Sequence, residues 1–350
     1  MIETLPAALT ATPPATLPAT MPATMPATLP ASALPRSIAD LPAQRASAPQ
    51  SPAQARALYF NTGNAFDVKL PEVPDASFTD EPARALLSST PTGLIACDRS
   101  RELGTPYPAT TPLVLARYAR IRAGESLVTQ FEASGVMLYV MQGSGRTRCG
   151  DEDISWAAGD VFVLPGGVRQ VHHASADIAH DGQAAVLWIV TNEPQLSFEH
   201  LRGPAAGQGP TDAVHFPADE ITRQIDLIYA VGRGSDIAGS ALIFSSTKQE
   251  AIRNVLPTLT VAMNSLPPGV SQRAHKHNSV AVSLVIQGEG CHSVVDGRRK
   301  DWAPWATTVT PATSVHSHHN EGGQRAMFLI VQDGGLYYYT RALGFSFADA

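Results

Sequence analysis

The chain has 350 residues, of which 44% are hydrophobic and 16% charged, and it carries a formal net charge of −6. This is long enough for two domains with a core each, and Lys and Arg form no runs, which excludes the electrostatic footprint of a nucleic-acid binder. No apolar stretch reaches the length of a membrane span, and the N-terminus has no Lys or Arg before Arg36 and is broken by prolines, unlike a secretory signal.

Cytoplasm is therefore the expected compartment. The three cysteines, Cys97, Cys149 and Cys291, are too few and too widely spaced for a disulfide framework. Buried thiols in a reducing compartment are expected.

Residues 1–53 are rich in Pro, Ala and Thr. Pro14-Ala15-Thr16-Leu17 recurs three times up to Leu29. A proline at every fourth position removes backbone donors and blocks helix, so a disordered or polyproline-like tail is expected, or else a start codon assigned too far upstream. Residues 54–112 read as a lead-in with a short helix following Ser51-Pro52 and another near residues 81–87. From about Leu113 to residue 200, short β-type runs alternate with glycine turns, as in Val136–Met141 and Val161–Leu164. Residues 201–255 read as a linker whose helix begins near Pro217, with Ile221, Ile225 and Ile228 at helical spacing. Strand texture resumes over residues 256–350.

The two strand-rich regions repeat each other. Gly269, five residues, His275-Lys276-His277 and then Gly288 parallels Gly124, five residues, Gln130-Phe131-Glu132 and then Gly143. Pro311 and His316 parallel Pro165 and Gln170. Two related β-barrels in one chain are expected, the first with Gln130, Glu132 and Gln170 where the second has three histidines. That first barrel is read as metal-free, although a site built from Glu132 and His172 is conceivable.

His275 and His277 lie two residues apart in a strand-like run, so both rings point to one face. His316 supplies a third imidazole from elsewhere. Six of the eleven histidines fall between His275 and His319, a concentration that favours a metal site over scattered core histidines. By residue type, Fe(II), Zn, Ni or Cu would suit, and a site without thiolate or carboxylate stays positive enough to favour an anionic oxygen chelate.

Gly269 to Gly288 resembles the first cupin motif, and Pro311, Thr313, His316 and Asn320 resemble the second, with Thr313 where glycine is usual. The glutamate common in the first motif is absent near Ala281 and Val282. A three-histidine site lacking it, together with Leu256-Pro257-Thr258-Leu259 and Leu266-Pro267-Pro268-Gly269, resembles the gentisate 1,2-dioxygenase family of bicupins. The resemblance implies an all-β fold of two jelly-roll barrels with a helical lead-in and linker. It implies an Fe(II)-dependent ring-cleaving dioxygenase taking O2 and a hydroxylated aromatic acid such as gentisate or a salicylate. Paired barrels with exposed strand edges make a homo-oligomer the expected state. Members of the family usually carry the working iron in the N-terminal cupin, whereas here the histidines are in the second.

On this reading His318 follows His316 on the same face and is a catalytic acid/base or hydrogen-bond donor, or else a solvent-facing histidine. Arg273 shares the parity of His275 and is a candidate partner for a substrate carboxylate, the alternative being a rim salt bridge. Asn320 is a second candidate for substrate binding, the alternative being a turn. The competing functions are another three-histidine chemistry (diketone cleavage, isomerisation or decarboxylation) and a non-catalytic metal-dependent ligand binder. No nucleic-acid or membrane partner is expected.

Overall fold

A computed structural model describes residues 36–176, 184–231 and 240–348. The proline-periodic stretch up to Leu29 lies outside these residues, whereas residues 36–53, the rest of the expected disordered tail, are described and include the short turn Ile38–Asp40. The chain divides into two units, Met1–Lys69 and Leu70–Ala350. In the first, the short helix Pro52–Arg56 starts at Ser51, whose hydroxyl accepts from the Gln54 N–H, and an isolated bridge joins Gln44 to Tyr59.

The second unit is built from four antiparallel sheets. The N-terminal half pairs a six-stranded sheet with a four-stranded one. The six-stranded sheet runs in the order Val214–Phe216, Val161–Pro165, Gly135–Gln142, Ala185–Thr191, Leu115–Ile121, Gly93–Ala96. The four-stranded sheet runs Ser126–Thr129, Gln170–Ala174, Ser144–Cys149, Glu152–Ala157. In the C-terminal half the six-stranded sheet runs Ala76–Phe78, Thr307–Thr310, Ala281–Gln287, Ala326–Gln332, Thr260–Leu266, Ser240–Phe244. Its five-stranded companion runs Arg298–Asp301, Cys291–Val295, His316–Asn320, His275–His277, Phe345–Phe347. Each half is a jelly roll, as the repeat implies.

Segments expected as lead-in and linker take part in both halves. Ala76–Phe78 pairs with the C-terminal strand Thr307–Thr310, whereas Gly93–Ala96 pairs with the N-terminal strand Leu115–Ile121. The helices near residues 81–87 and Pro217 are present as Asp80–Leu86 and Ala218–Val231. Ile221 and Ile225 are buried on the inner face of the latter. The longest core packs the two six-stranded sheets together, with Met137, Trp188, Leu256, Val282 and Leu329 among its members. Polar bonds cross the same layer. The Tyr118 hydroxyl lies 2.6 Å from Thr307 Oγ1, which also accepts from Trp188 Nε1 at 2.9 Å. Unpaired, these groups would each cost about 1–3 kcal/mol at such depth.

The insides of the two jelly rolls differ. Phe131, Trp156, Phe162 and other apolar side chains fill the first. In the second, the corresponding cluster shrinks to Leu266, Cys291 and Ala326, and the remaining space is lined by histidines. All three cysteines are buried and free. Among the described residues no helix is long and apolar enough to cross a membrane.

Candidate metal centre

The strand His275–His277 alternates buried, exposed, buried, so Lys276 faces out and both histidines face in. His275 lies directly opposite His316 in the antiparallel ladder. This brings one ligand atom from each of His275, His277 and His316 to within 4.8 Å of the others.

Each ring is held by its Nδ1. His275 bonds to the Arg273 carbonyl at 2.9 Å, His277 to the Ser279 carbonyl at 2.8 Å and His316 to the Ser314 carbonyl at 2.9 Å. A carbonyl only accepts, so each Nδ1 carries the proton and each Nε2 presents a lone pair; at His277 that lone pair takes the Gln332 amide, which a bound cation would displace. Burial lowers the pKa of His275 and His277. Burial, with His275 adding to it, pushes His316 down to about 4. The three rings are neutral at pH 7, the form a divalent transition ion requires. The donor set fits such an ion.

The peptide that opens the second motif is tightly turned. Thr313 takes a left-handed φ of 66°, and its N–H donates to the His277 carbonyl at 2.7 Å. Gly167, 146 residues earlier, has a φ of 70°.

A cavity of about 660 Å³ opens over the three histidines, within the usual range of roughly 300–1,000 Å³ for small-molecule pockets. His318, Gln332, Arg253, Tyr338, Leu343 and Phe345 contribute to its wall. No carboxylate lines it, and Arg253 is its one Lys or Arg among the described residues. The Arg253 guanidinium makes no hydrogen bond or ion pair with a described residue. Gln332 places its amide 3.2 Å from His277 Nε2 and is held from behind by Ser279 Oγ at 3.3 Å.

His318 is buried and bonds through Nδ1 to Ser293 Oγ at 2.8 Å, which accepts from Trp302 Nε1 at 2.8 Å. Burial first, and His316 second, hold its pKa well below the usual histidine value. Its neighbour His319 faces the other way, toward Ser271 and the stacked ring of His292.

The other two sequence candidates lie away from this lining. The Arg273 guanidinium sits 4.0 Å from the Phe347 ring centre. Asn320 spends its side chain on the turn after its strand, donating to the Leu266 and Gln324 carbonyls and accepting from the Gly322 N–H. Arg253 and Gln332 were not legible as site residues, since neither belongs to a motif.

The N-terminal jelly roll corrects the alignment of the repeat by one residue. Thr129 lies opposite Gln170 as His275 lies opposite His316, so Thr129 and Phe131 take the inward places. Gln130 is exposed and donates to the Gly167 carbonyl, while Glu132 accepts from the Gly203 N–H. A one-residue slip moves a strand's side chains to its other face, so neither points inward as a ligand. Gln170 does point inward, and it is engaged by Thr129 and the Pro165 carbonyl.

Residues 262–332 match the cupin domain family. The fold is that of a cupin resembling gentisate 1,2-dioxygenase. The cupin is 32% identical to a gentisate 1,2-dioxygenase from Ralstonia sp over 82 residues, 23% of each chain. It is 29% identical to a 5-nitrosalicylic acid 1,2-dioxygenase from Bradyrhizobium sp over 25% of this chain and 42% of the relative. These alignments span well under two thirds of the relatives' own lengths. A 5-aminosalicylate 1,2-dioxygenase from Comamonas sp is 23% identical over 64% of this chain and 67% of its own. Among solved structures, salicylate 1,2-dioxygenase from Pseudaminobacter salicylatoxidans superposes on the cupin with a TM-score of 0.66 and 12% identity. That superposition covers 81% of this chain and 91% of the other.

Proposed function

We propose that this cupin is an Fe(II)-dependent, ring-cleaving dioxygenase for a hydroxylated aromatic acid of the gentisate or salicylate type, working at His275, His277 and His316. The observation that carries this reading is the set of three Nδ1-anchored imidazoles converging at the floor of a cavity free of carboxylates. The names of its relatives point the same way.

The ion, when bound, supplies a Lewis-acidic centre with open positions for a hydroxy-acid chelate and O2. In the overall change the ring bond between the carboxyl-bearing and hydroxyl-bearing carbons breaks. Both oxygen atoms enter the product, and no outside reductant is consumed. The chain's own groups bind and orient. Arg253, unpaired at the cavity wall, takes the free carboxylate oxygen of the substrate through a charge-assisted bond. Neutral His318, anchored at Nδ1, offers Nε2 to a substrate or dioxygen oxygen and holds or moves a proton there. The Gln332 amide gives a further donor beside His277.

Anaerobic loading with Fe(II), followed by O2 uptake against a panel of hydroxybenzoates, tests the proposal. Uptake matched by a ring-opened chromophore, with one metal per chain lost on changing His275, His277 or His316 to Ala, is the expected result. Stoichiometric binding of the acids with no O2 consumed would instead favour a ligand-binding cupin.

A further inference from the structure

The five-stranded sheet has one strand more than its N-terminal counterpart. After the helix Gly334–Thr340, the chain turns back and adds Phe345–Phe347 beside His275–His277, pairing Phe345 with His277 and Phe347 with His275. The described part of the N-terminal half has no such strand, and Ser126–Thr129 forms the edge of its sheet.

The extra strand is firmly fixed. Asn278 donates from its backbone to the Gly344 carbonyl and from its side chain to the Ala342 carbonyl, and its Oδ1 accepts from the Gly344 N–H at 2.9 Å. The Ala348 N–H bonds to the Ala274 carbonyl at 2.9 Å. Phe347 is clamped beneath Arg273. Phe345 packs edge-on against Phe347, with ring centres 5.2 Å apart.

Phe345 itself is not sealed into a core. It is 48% exposed, lines the cavity, and its ring centre lies 5.3 Å from that of His275. A large apolar ring held this rigidly in an open cavity, beside a ligand histidine, is a surface awaiting a flat partner. Aromatic rings favour such offset or edge contacts at centre separations of roughly 4.5–7 Å.

We infer that Phe345 is a specificity-determining residue, an aromatic wall that selects a planar, single-ring carboxylate over a saturated one of the same size. This rests on the cavity being the substrate site proposed above, and it assigns ring recognition to a strand outside both histidine motifs.

The test uses full-length protein loaded with zinc, which binds without oxidative turnover, and calorimetric titration with salicylate and with cis-2-hydroxycyclohexanecarboxylate. The Phe345→Leu and Phe345→Ala variants should keep their zinc and lose about 2–10-fold in salicylate affinity. The saturated acid should change less than about twofold on the same scale. Phe345→Tyr should bind salicylate as the parent does. Equal losses for both acids, or no loss for salicylate, overturn the inference. So does failure of the parent protein to bind salicylate or any of the hydroxybenzoate panel. If the Ala variant loses zinc through a loosened strand, the Leu and Tyr variants decide. Salicylate binding that depends on Phe345, with no turnover in the Fe(II) protein, would sink the dioxygenase proposal and leave this inference standing.

Discussion

His172 and His318 stand 146 residues apart and occupy the same place in the two jelly rolls. Each bonds through Nδ1 to a hydroxyl that accepts from a tryptophan: Thr147 and Trp156 in the first, Ser293 and Trp302 in the second. They differ at the other nitrogen. Nε2 of His172 is closed by Thr129 at 3.1 Å, whereas the equivalent place to Thr129 is occupied by His275, and Nε2 of His318 makes no hydrogen bond with a described residue.

His318→Ala should therefore keep the metal and lower kcat by about 100-fold or more, the range for a removed proton-handling group, with a smaller change in KM. His319→Ala, on the outer face, should behave as the parent. Loss of metal from the His318 variant, measured by elemental analysis, would make it a ligand and end the three-histidine assignment. An unchanged kcat would return it to a packing role.

Arg253→Met removes the one Lys or Arg of the cavity wall while keeping much of its length. A charge-assisted bond at a partly open site sets the scale, so KM for a hydroxybenzoate should rise about 10-fold. Metal content and kcat should change little. Steady-state kinetics at two ionic strengths would check this, because an effect of charge shrinks as salt rises. An Arg273→Met variant with the larger rise in KM would show that the carboxylate is held outside this lining, toward Phe347.

Asp333 is buried, and burial pushes its carboxyl up to about 6. Its Oδ1 accepts from the Val280 N–H at 2.9 Å. Asn192 makes the matching bond to the Ser134 N–H in the N-terminal half. A carboxyl raised from 3.8 in the unfolded chain weakens the fold where it is ionised, by at most about 3 kcal/mol above pH 6. The penalty fades as pH falls and is gone below the unfolded value. Asp333→Asn should thus raise stability at pH 7 by about 1–3 kcal/mol and give no gain below pH about 4. Urea denaturation at both pH values reads this out, and a gain that persists at the lower pH would show that relief of a buried charge is not the cause.

Thr313 holds a backbone conformation that costs a β-branched residue about 1 kcal/mol or more. Thr313→Gly should stabilise the protein by up to about 1 kcal/mol, the gain being trimmed by glycine's greater freedom when unfolded. A fall in thermal midpoint would show that the Thr313 side chain makes contacts worth more than the strain.

The chemistry of the centre was legible because a two-residue spacing on a strand fixes a shared face without any knowledge of the fold. The register of the repeat was less so. Gly124 and Gly269 correspond, yet one extra residue lies between Gly269 and His275 than between Gly124 and Thr129, and counting the same five residues after each glycine hid the slip. Phe131 marked the buried parity by its hydrophobicity alone. Arg253 sits in a loop with a left-handed φ of 53°, and no local pattern announces that such a residue returns to a cavity wall. Arg273 has the parity of His275 but lies on the stretch before the strand begins, where alternation no longer controls direction. The alternation Phe345-Ser346-Phe347 after a glycine falls within the strand texture read over residues 256–350, but nothing in it announces that this strand borders His275–His277.

The pairing of Ala76–Phe78 with Thr307–Thr310 constrains how this chain can be cut and how it is made. The six-stranded sheet that supports the three-histidine half has Ala76–Phe78 at one border and Ser240–Phe244 at the other. A fragment starting at residue 256 would have neither, and the bared strands Thr307–Thr310 and Thr260–Leu266 would invite pairing between fragments. During synthesis Ala76–Phe78 leaves the ribosome more than two hundred residues before its partner. The N-terminal half can complete itself while this short segment waits, and the C-terminal sheet then closes on a strand already made. The C-terminal half, though a copy of the same motif, thereby depends on a strand made before the N-terminal half.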